Sequence, residues 1–379
     1  MKIVSIEPTP SPNTMKLTLD ESLPEGQRHV YSLENRESSS EMIRRILDVS
    51  GVKSVFHVAD FMAVERKAKG DWSLILAEIR TIFGEHSSID SLSVKEVPPD
   101  SFGEIQVYVQ EFKGIPMQLK LMIDHEERRV GLPERFLQAV SKIQSYSTNL
   151  IIERSWIEQG KRYGDVEKVM EELVEEYSAA YPGERLEQLI SQVVQDKGGQ
   201  RVKKIEWTLA EISEKMEDQD WRIRYAALQQ MKPTEGTLKV LERAIKDSNV
   251  SIRRLATAYL GMIESPKALP SLYVMLEDAS AVIRRTAGDA ISDLGQPEAI
   301  PEMIKALKDK NKLVRWRAAR FLYEVGDESA LAFLKEAQND SEFEVQLQIS
   351  MAIERIERGE EASGTIWQQM TNTFRENES

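Results

Sequence analysis

Arginine, tryptophan and tyrosine residues form two groups in this sequence whose chemistry suits binding. In the first group, Trp156, Arg162 and Tyr163 lie close together in sequence, next to two glycines. The second group lies further along the chain and consists of Trp221, Arg222, Arg254, Arg285, Trp316 and Arg317. Guanidinium groups bind carboxylates and phosphates through paired hydrogen bonds, and they stack on aromatic rings. We therefore interpret both groups as candidate partner-binding residues.

Each group also has a structural interpretation. The first would be a helix end where arginine stems pack around a half-buried Trp156. The second would be ordinary solvated helix surface beside packed aromatic side chains. The interpretations differ in whether the guanidinium groups are available to a ligand.

The residue types that most catalytic and metal sites need are absent or scattered. The chain has no cysteine, which excludes disulfides, cysteine nucleophiles and thiolate-held zinc or iron–sulfur clusters within it. Its four histidines are far apart in sequence, and no two have the i, i+4 spacing of a metal-binding pair. Phosphate-binding loops and nucleophile elbows are missing as well. We expect no catalytic residue, no metal site and no cofactor, and we predict that the protein is not an enzyme.

A 31-residue repeat fills the C-terminal part of the chain. Its period is marked by Asp247, Asp278, Asp309 and Asp340. A fixed period of this length in helix-forming sequence is typical of stacked helical pairs, each of which needs its neighbours to bury an apolar face. The pattern predicts an α-solenoid over residues 201–358.

Within the repeats, an aspartate precedes an arginine by six residues. The pairs are Asp218/Arg224, Asp247/Arg253, Asp278/Arg284 and Asp309/Arg315, and the last unit has Asp340 with Gln346. With small alanines at fixed places, these units resemble HEAT repeats of the phycobilisome-lyase-like kind. The resemblance implies that the aspartate and arginine side chains form an internal hydrogen-bonded ladder, with a phosphate-binding stripe as the alternative.

The first 90 residues predict a small α+β domain with short strands, a β-hairpin turning at Ala59 and two helices. We expect Ser38, with capping-box spacing to Glu41, to begin the first helix and Asp71 to cap the second. The motif Thr-Pro-Ser-Pro-Asn-Thr-Met-Lys at residues 9–16 resembles the entry of the Nfu N-terminal domain. That resemblance implies contact with a client or partner, including iron–sulfur maturation proteins.

Residues 91–200 predict a mixed middle domain. Alternating apolar and polar residues over 104–112 and 117–124 favour a β-hairpin. Residues 153–164, with two shorter segments before them, resemble the middle region of the conserved virulence factor C family. The order of an Nfu-type domain, this region and helical repeats matches that family over the full length. The resemblance brings no established reaction that maps onto particular residues.

Composition narrows the partner class. The net charge is −13 and the pI is about 5.1, which argues against broad nucleic-acid binding. No apolar run is long enough to span a membrane, which favours a cytoplasmic protein. A short amphipathic pattern in the C-terminal tail could dock on a partner, and it consists of Ile366, Trp367, Met370 and Phe374.

The predicted fold is multidomain, α+β and then all-α. Its domains are 1–90 (Nfu N-terminal-like), 91–200 (virulence-factor-like middle domain), 201–358 (HEAT-like solenoid) and 359–379 (flexible tail). The predicted function is a non-enzymatic cytoplasmic adaptor that binds protein partners through its repeats, with links to iron–sulfur maturation and, indirectly, to virulence-factor expression. The alternatives are a nucleic-acid-binding repeat protein and a lyase-type enzyme. The oligomeric state stays open.

Overall fold

The computed structural model describes nine stretches of the chain. They are residues 1–9, 11, 13–24, 27–67, 70–84, 104–123, 126–147, 149–196 and 207–360. The chain divides into two compact units, the first containing the described residues of Met1–Gly103 together with Ala337–Met351. The second contains those of Glu104–Glu336 together with Ala352–Ser379. The amphipathic pattern predicted at residues 366–374 lies outside the described stretches.

A five-stranded antiparallel sheet forms one layer of the N-terminal unit. Its strands are β1 (Ile3–Pro8), β2 (Thr14–Leu19), β3 (Arg28–Ser32), β4 (Val52–Val58) and β5 (Phe61–Arg66), in the order β1-β2-β5-β4-β3. Alternate residues of β2 and β5 are buried, because successive side chains of a strand point to opposite faces of the sheet. Ala59 turns the predicted β4–β5 hairpin with a φ of 47°.

Two helices, α1 (Glu41–Asp48) and α2 (Trp72–Ile82), complete the core of this unit. The predicted cap at Ser38 is wrong. Ser40, which directly precedes the helix, accepts the hydrogen bond from the Ile43 N–H. Asp71 caps α2 as predicted, by accepting from the Ser73 N–H. The buried apolar residues of both helices and the sheet form one cluster that includes Leu17, Ile46, Val55, Trp72 and Ile75.

A four-stranded antiparallel sheet begins the second unit. Its strands are β6 (Glu104–Phe112), β7 (Ile115–Ile123), β8 (Glu126–Gly131) and β9 (Ser155–Tyr163), in the order β8-β7-β6-β9. The predicted β6–β7 hairpin is confirmed. The helix end proposed around Trp156 is wrong, because this residue lies in an edge strand that pairs with β6.

A β-bulge explains why the sequence of β9 does not alternate. Between the pairings of Tyr108 and Gln106, β6 contributes one residue and β9 contributes two, Gln159 and Gly160. Gly160 has a φ of 84°, a conformation that glycine adopts without strain. The extra residue shifts the alternation by one, so Arg162 stands opposite a buried residue of β6.

Four helices follow or interrupt this sheet. They are α3 (Glu134–Ile143), α4 (Leu150–Glu153), α5 (Val166–Ala180) and α6 (Gly183–Gln195). Helix α3 packs on β7 and on α6, which buries the apolar face of the β6–β7 hairpin. Asp165 caps α5 as predicted, by accepting from the Lys168 N–H.

Paired helices occupy the rest of the described chain and confirm the predicted solenoid class. They are α7 (Leu209–Lys215), α8 (Trp221–Gln230), α9 (Leu238–Ala244), α10 (Val250–Met262), α11 (Leu269–Met275), α12 (Ala281–Leu294), α13 (Ile300–Ala306), α14 (Lys312–Glu324), α15 (Leu331–Glu336) and α16 (Phe343–Glu357). In the second unit, α8, α10, α12 and α14 pack side by side, and α5 packs on α8. Close approach needs small residues: an added Cβ at Gly261 of α10 would lie 2.8 Å from the Ala290 Cβ of α12. None of the helices in the described stretches has the length and apolar character that crossing a bilayer requires.

Arginine–aspartate pairs connect successive repeats of the second unit. The Arg253 Nε donates to Asp278 of the next repeat over 2.7 Å, and its Nη1 donates to the Asp247 carbonyl of its own repeat over 2.9 Å. The same arrangement joins Arg224 to Asp247 and Arg284 to Asp309. Each of these guanidiniums therefore satisfies a turn in one repeat and holds a carboxylate of the next.

Arg315 shows how the aspartate and the arginine of the six-residue spacing are used within one repeat. Its Nη1 donates to the backbone carbonyls of Asp309 and Lys310, over 3.0 Å and 3.3 Å. The Asp309 carboxylate instead accepts from Arg284 of the preceding repeat and from the Asn311 N–H. Within a repeat, the arginine therefore binds the backbone of the turn, and the Asp309 carboxylate holds the arginine of the preceding repeat.

The ladder aspartates also stabilise their own turns. Asp247 accepts a hydrogen bond from the Asn249 N–H over 2.8 Å. Burial alone would raise the pKa of Asp247, but the hydrogen bonds from Arg224 and the Asn249 N–H outweigh it, so this pKa is lowered. The carboxylate is therefore ionised at neutral pH, where it stabilises the junction between repeats. In the last repeat, Gln346 donates to the Asp340 carbonyl in place of an arginine.

We predict that Arg253→Met lowers the free energy of unfolding by about 2 kcal/mol, because the buried Asp278 carboxylate and the Asp247 carbonyl both lose a hydrogen-bond donor. Urea unfolding followed by circular dichroism measures the effect. The control is Lys308→Met, which removes an exposed ion pair with Glu336 and should change stability by less than about 0.5 kcal/mol. Equal losses in both variants would contradict a structural ladder.

Candidate functional site

The end of strand β9 brings two residues of the first predicted group, Arg162 and Tyr163, to the repeats. Beyond the bulge, Arg162 points from the sheet toward α5, and Tyr163 is the last residue of the strand. Six of the nine predicted residues meet in this region of the second unit. They are Arg162, Tyr163, Arg254, Arg285, Trp316 and Arg317.

One carboxylate holds two of these arginines, and we call Arg162, Glu176 and Arg254 the Glu176 triad. The Arg162 Nη2 lies 2.6 Å from the Glu176 Oε2, and the Arg254 Nη2 lies 3.0 Å from the same oxygen. The Glu176 side chain is only 4% exposed, so this contact ties β9 and α5 to α10 in the interior. Burial would raise the pKa of Glu176, but Arg254 and Arg162 outweigh it and lower this pKa to about 2.

A second carboxylate holds the next two arginines, and we call Arg285, Asp289 and Arg317 the Asp289 triad. The Arg317 Nη2 lies 2.7 Å from the Asp289 Oδ1, and Arg285 donates to the same oxygen. Arg285 lies within cation–π range of two rings, with its Cζ 5.1 Å from the Tyr163 ring centroid and 5.6 Å from the Trp316 centroid. These contacts attach the end of β9 to α12 and α14.

Both triads carry a surplus of positive charge, since each pairs two guanidiniums with one carboxylate. Among the described side chains, the Nε atoms of Arg254 and Arg317 find no hydrogen-bond acceptor. Burial lowers the pKa of Arg317; Asp289 opposes that shift, and the neighbouring Arg285 adds to it. An arginine nonetheless stays protonated at neutral pH. The charge suits further carboxylate contacts, although most of these guanidinium groups are already engaged.

The remaining predicted residues lie elsewhere. Trp156 lies on the other face of the sheet, with the Lys120 Nζ 4.6 Å from its ring centroid. Trp221 and Arg222 begin helix α8, where the Arg222 Cζ lies 5.2 Å from the Trp221 centroid. The Arg222 side chain is 58% exposed, so it is accessible in a way that Arg285, with a side chain 2% exposed, is not.

Three residues that sequence reasoning missed shape the cluster. Glu176 and Asp289 supply its carboxylates, and neither follows the 31-residue period. Gly288 gives Arg317 room to cross α12, because an added Cβ there would lie 3.1 Å from the Arg317 Cγ. A glycine inside a helical repeat is the one signal that the sequence offered, since glycine is unfavourable there without a packing reason.

Metal binding finds no support in the described part of the chain. No group of three or more histidine, aspartate or glutamate side chains is close enough there to hold an ion. The chemistry of the two triads is that of charge-assisted hydrogen bonding and cation–π stacking.

Models of three protein families match successive parts of this chain. The family described as "Scaffold protein Nfu/NifU N terminal" matches residues 4–90, and the family described as "Virulence factor" matches residues 110–190. HEAT repeats match residues 208–281 and 272–354. The chain is therefore a HEAT-repeat protein with an Nfu-type N-terminal region, as the resemblances predicted.

Full-length relatives identify the family. The chain is 46% identical to "Conserved virulence factor C" of Staphylococcus aureus strain bovine RF122 / ET3-1, over 98% of this chain and 99% of the relative. It is 55% identical to "Uncharacterized protein YpgR" of Bacillus subtilis strain 168 over the whole of both chains. A solved structure of protein SAV1430 from Staphylococcus aureus is 40% identical and covers 22% of this chain and 99% of its own, with a TM-score of 0.21. The chain belongs to the conserved virulence factor C family.

We predict that Glu176→Gln lowers the free energy of unfolding by about 3 kcal/mol at pH 7, because two buried guanidiniums lose their shared carboxylate. The pKa of Glu176 is depressed in the folded state, so its contribution is complete above the ordinary glutamate pKa and is lost as pH falls toward about 2. The gap between wild type and variant should therefore shrink by more than half at pH 3. Urea unfolding at both pH values tests this, and a gap independent of pH would contradict it.

Proposed function

We propose that the protein is a non-enzymatic adaptor that binds a protein partner on the accessible surface of its repeats. Its HEAT repeats support a binding role, because stacked helical pairs present long surfaces that suit macromolecular partners. The observation that carries the proposal is the separation of the predicted binding residues into two classes. Arg162, Arg254 and Arg285 are engaged inside the molecule, whereas Trp221 and Arg222 stand at the accessible start of α8.

The start of α8 has the composition of an interaction hot spot. Trp221 and Arg222 are neighbours, and Ile223, which follows them, is 40% exposed. Tryptophan and arginine are enriched among residues that dominate binding energy. Trp221 is held in place edge-on to the buried Tyr225, with the two ring centroids 6.1 Å apart. A rigid aromatic side chain loses little conformational entropy when a partner covers it.

The two triads have a different role in this proposal. Each connects the end of β9, which belongs to the virulence-factor region, to helices of the repeats. They hold the region and the repeats in one arrangement, and the partner surface lies outside them. The Arg317 side chain, 16% exposed and paired with Asp289, is about as enclosed as those of Arg162 and Arg254, so it belongs to this internal connection as well.

The Nfu-type region supplies a second contact in this scheme. Its relatives are described as scaffold proteins, so we propose that it engages proteins of iron–sulfur maturation. The relatives named conserved virulence factor C motivate an indirect effect on virulence-factor expression. In this scheme the protein acts in the cytoplasm, and its parts are the domains at 1–90, 91–200 and 201–358, followed by the tail at 359–379.

Crosslinking in an extract of the source cells, followed by identification of the captured proteins, tests the adaptor function. We expect wild type to capture a specific partner and the double variant Trp221→Ala/Arg222→Ala to capture it at least ten-fold less. The matched control is Phe333→Ala/Lys308→Ala, which removes an exposed aromatic from α15 and an exposed cation from the turn after α13, and it should capture like wild type.

Four results would contradict this assignment. Capture that is unchanged in the Trp221/Arg222 variant would place the partner on another surface, and a lack of any specific partner would count against an adaptor. Nucleic-acid binding at ~50 mM salt that falls steeply with added salt would favour the nucleic-acid alternative. Turnover that is lost on changing Trp316 or Tyr163, in a variant that still folds, would favour the enzyme alternative.

A further inference from the structure

A buried arginine of the N-terminal unit is positioned as a receptor for a carboxylate. Arg66 ends strand β5, and its side chain is only 3% exposed. Its Nη1 donates to the Gly70 carbonyl over 2.8 Å, and its Nε donates to the Asn13 side chain over 3.3 Å. Its Cζ lies 5.4 Å from the Trp72 ring centroid. The guanidinium is therefore fixed in one orientation by backbone, amide and aromatic contacts.

Asn13 belongs to the motif of residues 9–16 that resembles the Nfu entry motif. The backbone N–H of Arg66 donates to the Asn13 carbonyl over 2.9 Å. Together with the bond between their side chains, this gives two hydrogen bonds between Arg66 and Asn13. Substitution at either position would alter the orientation of the guanidinium. This gives the motif a physical role, which is to present Arg66.

The first turns of helix α16 occupy the site. Glu344 pairs with the Arg66 Nη1, and the Glu344 side chain is 9% exposed. Phe343 and Leu347, four residues apart and so on one face of the helix, pack against the apolar core cluster of the same unit. The contact has the form of an amphipathic helix in a groove, with one charge-assisted bond between two apolar anchors.

We propose that this surface is a recognition site for an acidic amphipathic helix of the pattern Phe-Glu-x-x-Leu on a partner protein. Residues 343–347 of the same chain occupy this site and thereby regulate the access of the partner helix to it. The inference rests on the adaptor function and names a second partner-binding surface for it. The argument for the occupant is the chemistry of the cis segment itself, since it supplies the carboxylate that Arg66 needs and the apolar side chains that cover the core.

Physical arguments explain why such a site would be covered in the absence of a partner. A buried guanidinium without its carboxylate is strongly unfavourable, so the surface is held closed until an equivalent helix replaces the first one. A tethered segment has an effective concentration on the order of 1 mM. If the segment by itself binds with a dissociation constant of about 100 μM, its presence in the chain weakens the binding of an identical external helix roughly ten-fold.

The test measures binding of a fluorescein-labelled peptide of residues 338–352 to the full-length protein by anisotropy. We expect Phe343→Ala/Leu347→Ala, which weakens the cis segment, to bind the peptide about ten-fold more tightly than wild type. A peptide carrying Glu344→Lys should not bind either protein. Phe333→Ala, which removes an exposed aromatic residue from another helix, is the matched control and should bind like wild type.

A second variant keeps the test decisive if the double variant does not fold. Glu344→Gln preserves the volume of the side chain and removes only the charge pair, so we expect it to bind the wild-type peptide several-fold more tightly. Failure of both variants to gain affinity, or equal binding of the Glu344→Lys peptide, would overturn the proposal. The assay uses no residue of α8, so its failure would leave the capture result for Trp221 and Arg222 intact.

Discussion

The bond from an arginine of one repeat to an aspartate of the next is the constraint on which the second unit depends. It fixes the rotation and spacing of successive repeats, because a bidentate guanidinium–carboxylate pair tolerates little change in geometry. The residue after each ladder arginine then comes to an equivalent place in every repeat. Arg254, Arg285 and Trp316 hold these places, and all three belong to the cluster around the end of β9. The register of the repeats thus determines which side chains the end of β9 contacts.

The strand contributes a second constraint of its own. A regular β9 would turn Arg162 to the opposite face of the sheet, away from α5, because side chains alternate strictly along a strand. The bulge at Gly160 corrects this by one residue and delivers the guanidinium to Glu176. Two carboxylates, Glu176 and Asp289, each serve a pair of arginines, which is why neither arginine pair is left without a partner in the interior. The cluster is a polar core between two kinds of secondary structure.

Much of the fold could be predicted because its signals are periodic. The 31-residue spacing of the aspartates indicated the solenoid, and the alternation of β6 and β7 indicated a hairpin. The structure of β9 could not be inferred in the same way, because a bulge breaks the alternation on which strand prediction relies. The prediction of a helix cap at Ser38 was wrong because three consecutive serines, residues 38–40, stand before the helix, and only Ser40 directly precedes its first residue. The residues of the cluster around the end of β9 were harder to predict than the fold.

Sequence reasoning found the arginines and aromatic residues of the cluster and missed the acids that organise them. Glu176 lies 78 positions from Arg254 in the sequence. The same holds in the N-terminal unit, where Glu344 lies 278 positions from its partner Arg66. Contacts at such separations depend on the tertiary fold, and the many carboxylates of an acidic chain give no local reason to choose one. The sequence also did not show which arginines are exposed. Arg222 and Arg285 both stand in repeat helices, yet the Arg222 side chain is accessible and the Arg285 side chain is buried.

The ladder has a consequence for how such a chain can change in length. Each rung joins an arginine to the aspartate of the following repeat, so removal of one whole 31-residue unit would leave Arg224 facing Asp278 with the same chemistry. Duplication and loss of repeats are thus compatible with the rungs themselves. The triads are not so permissive, because Arg254 and Arg285 meet particular residues of β9 and α5. A repeat that contacts β9 cannot be exchanged for another repeat. We therefore expect the number of repeats to vary only among those that make no contact with β9.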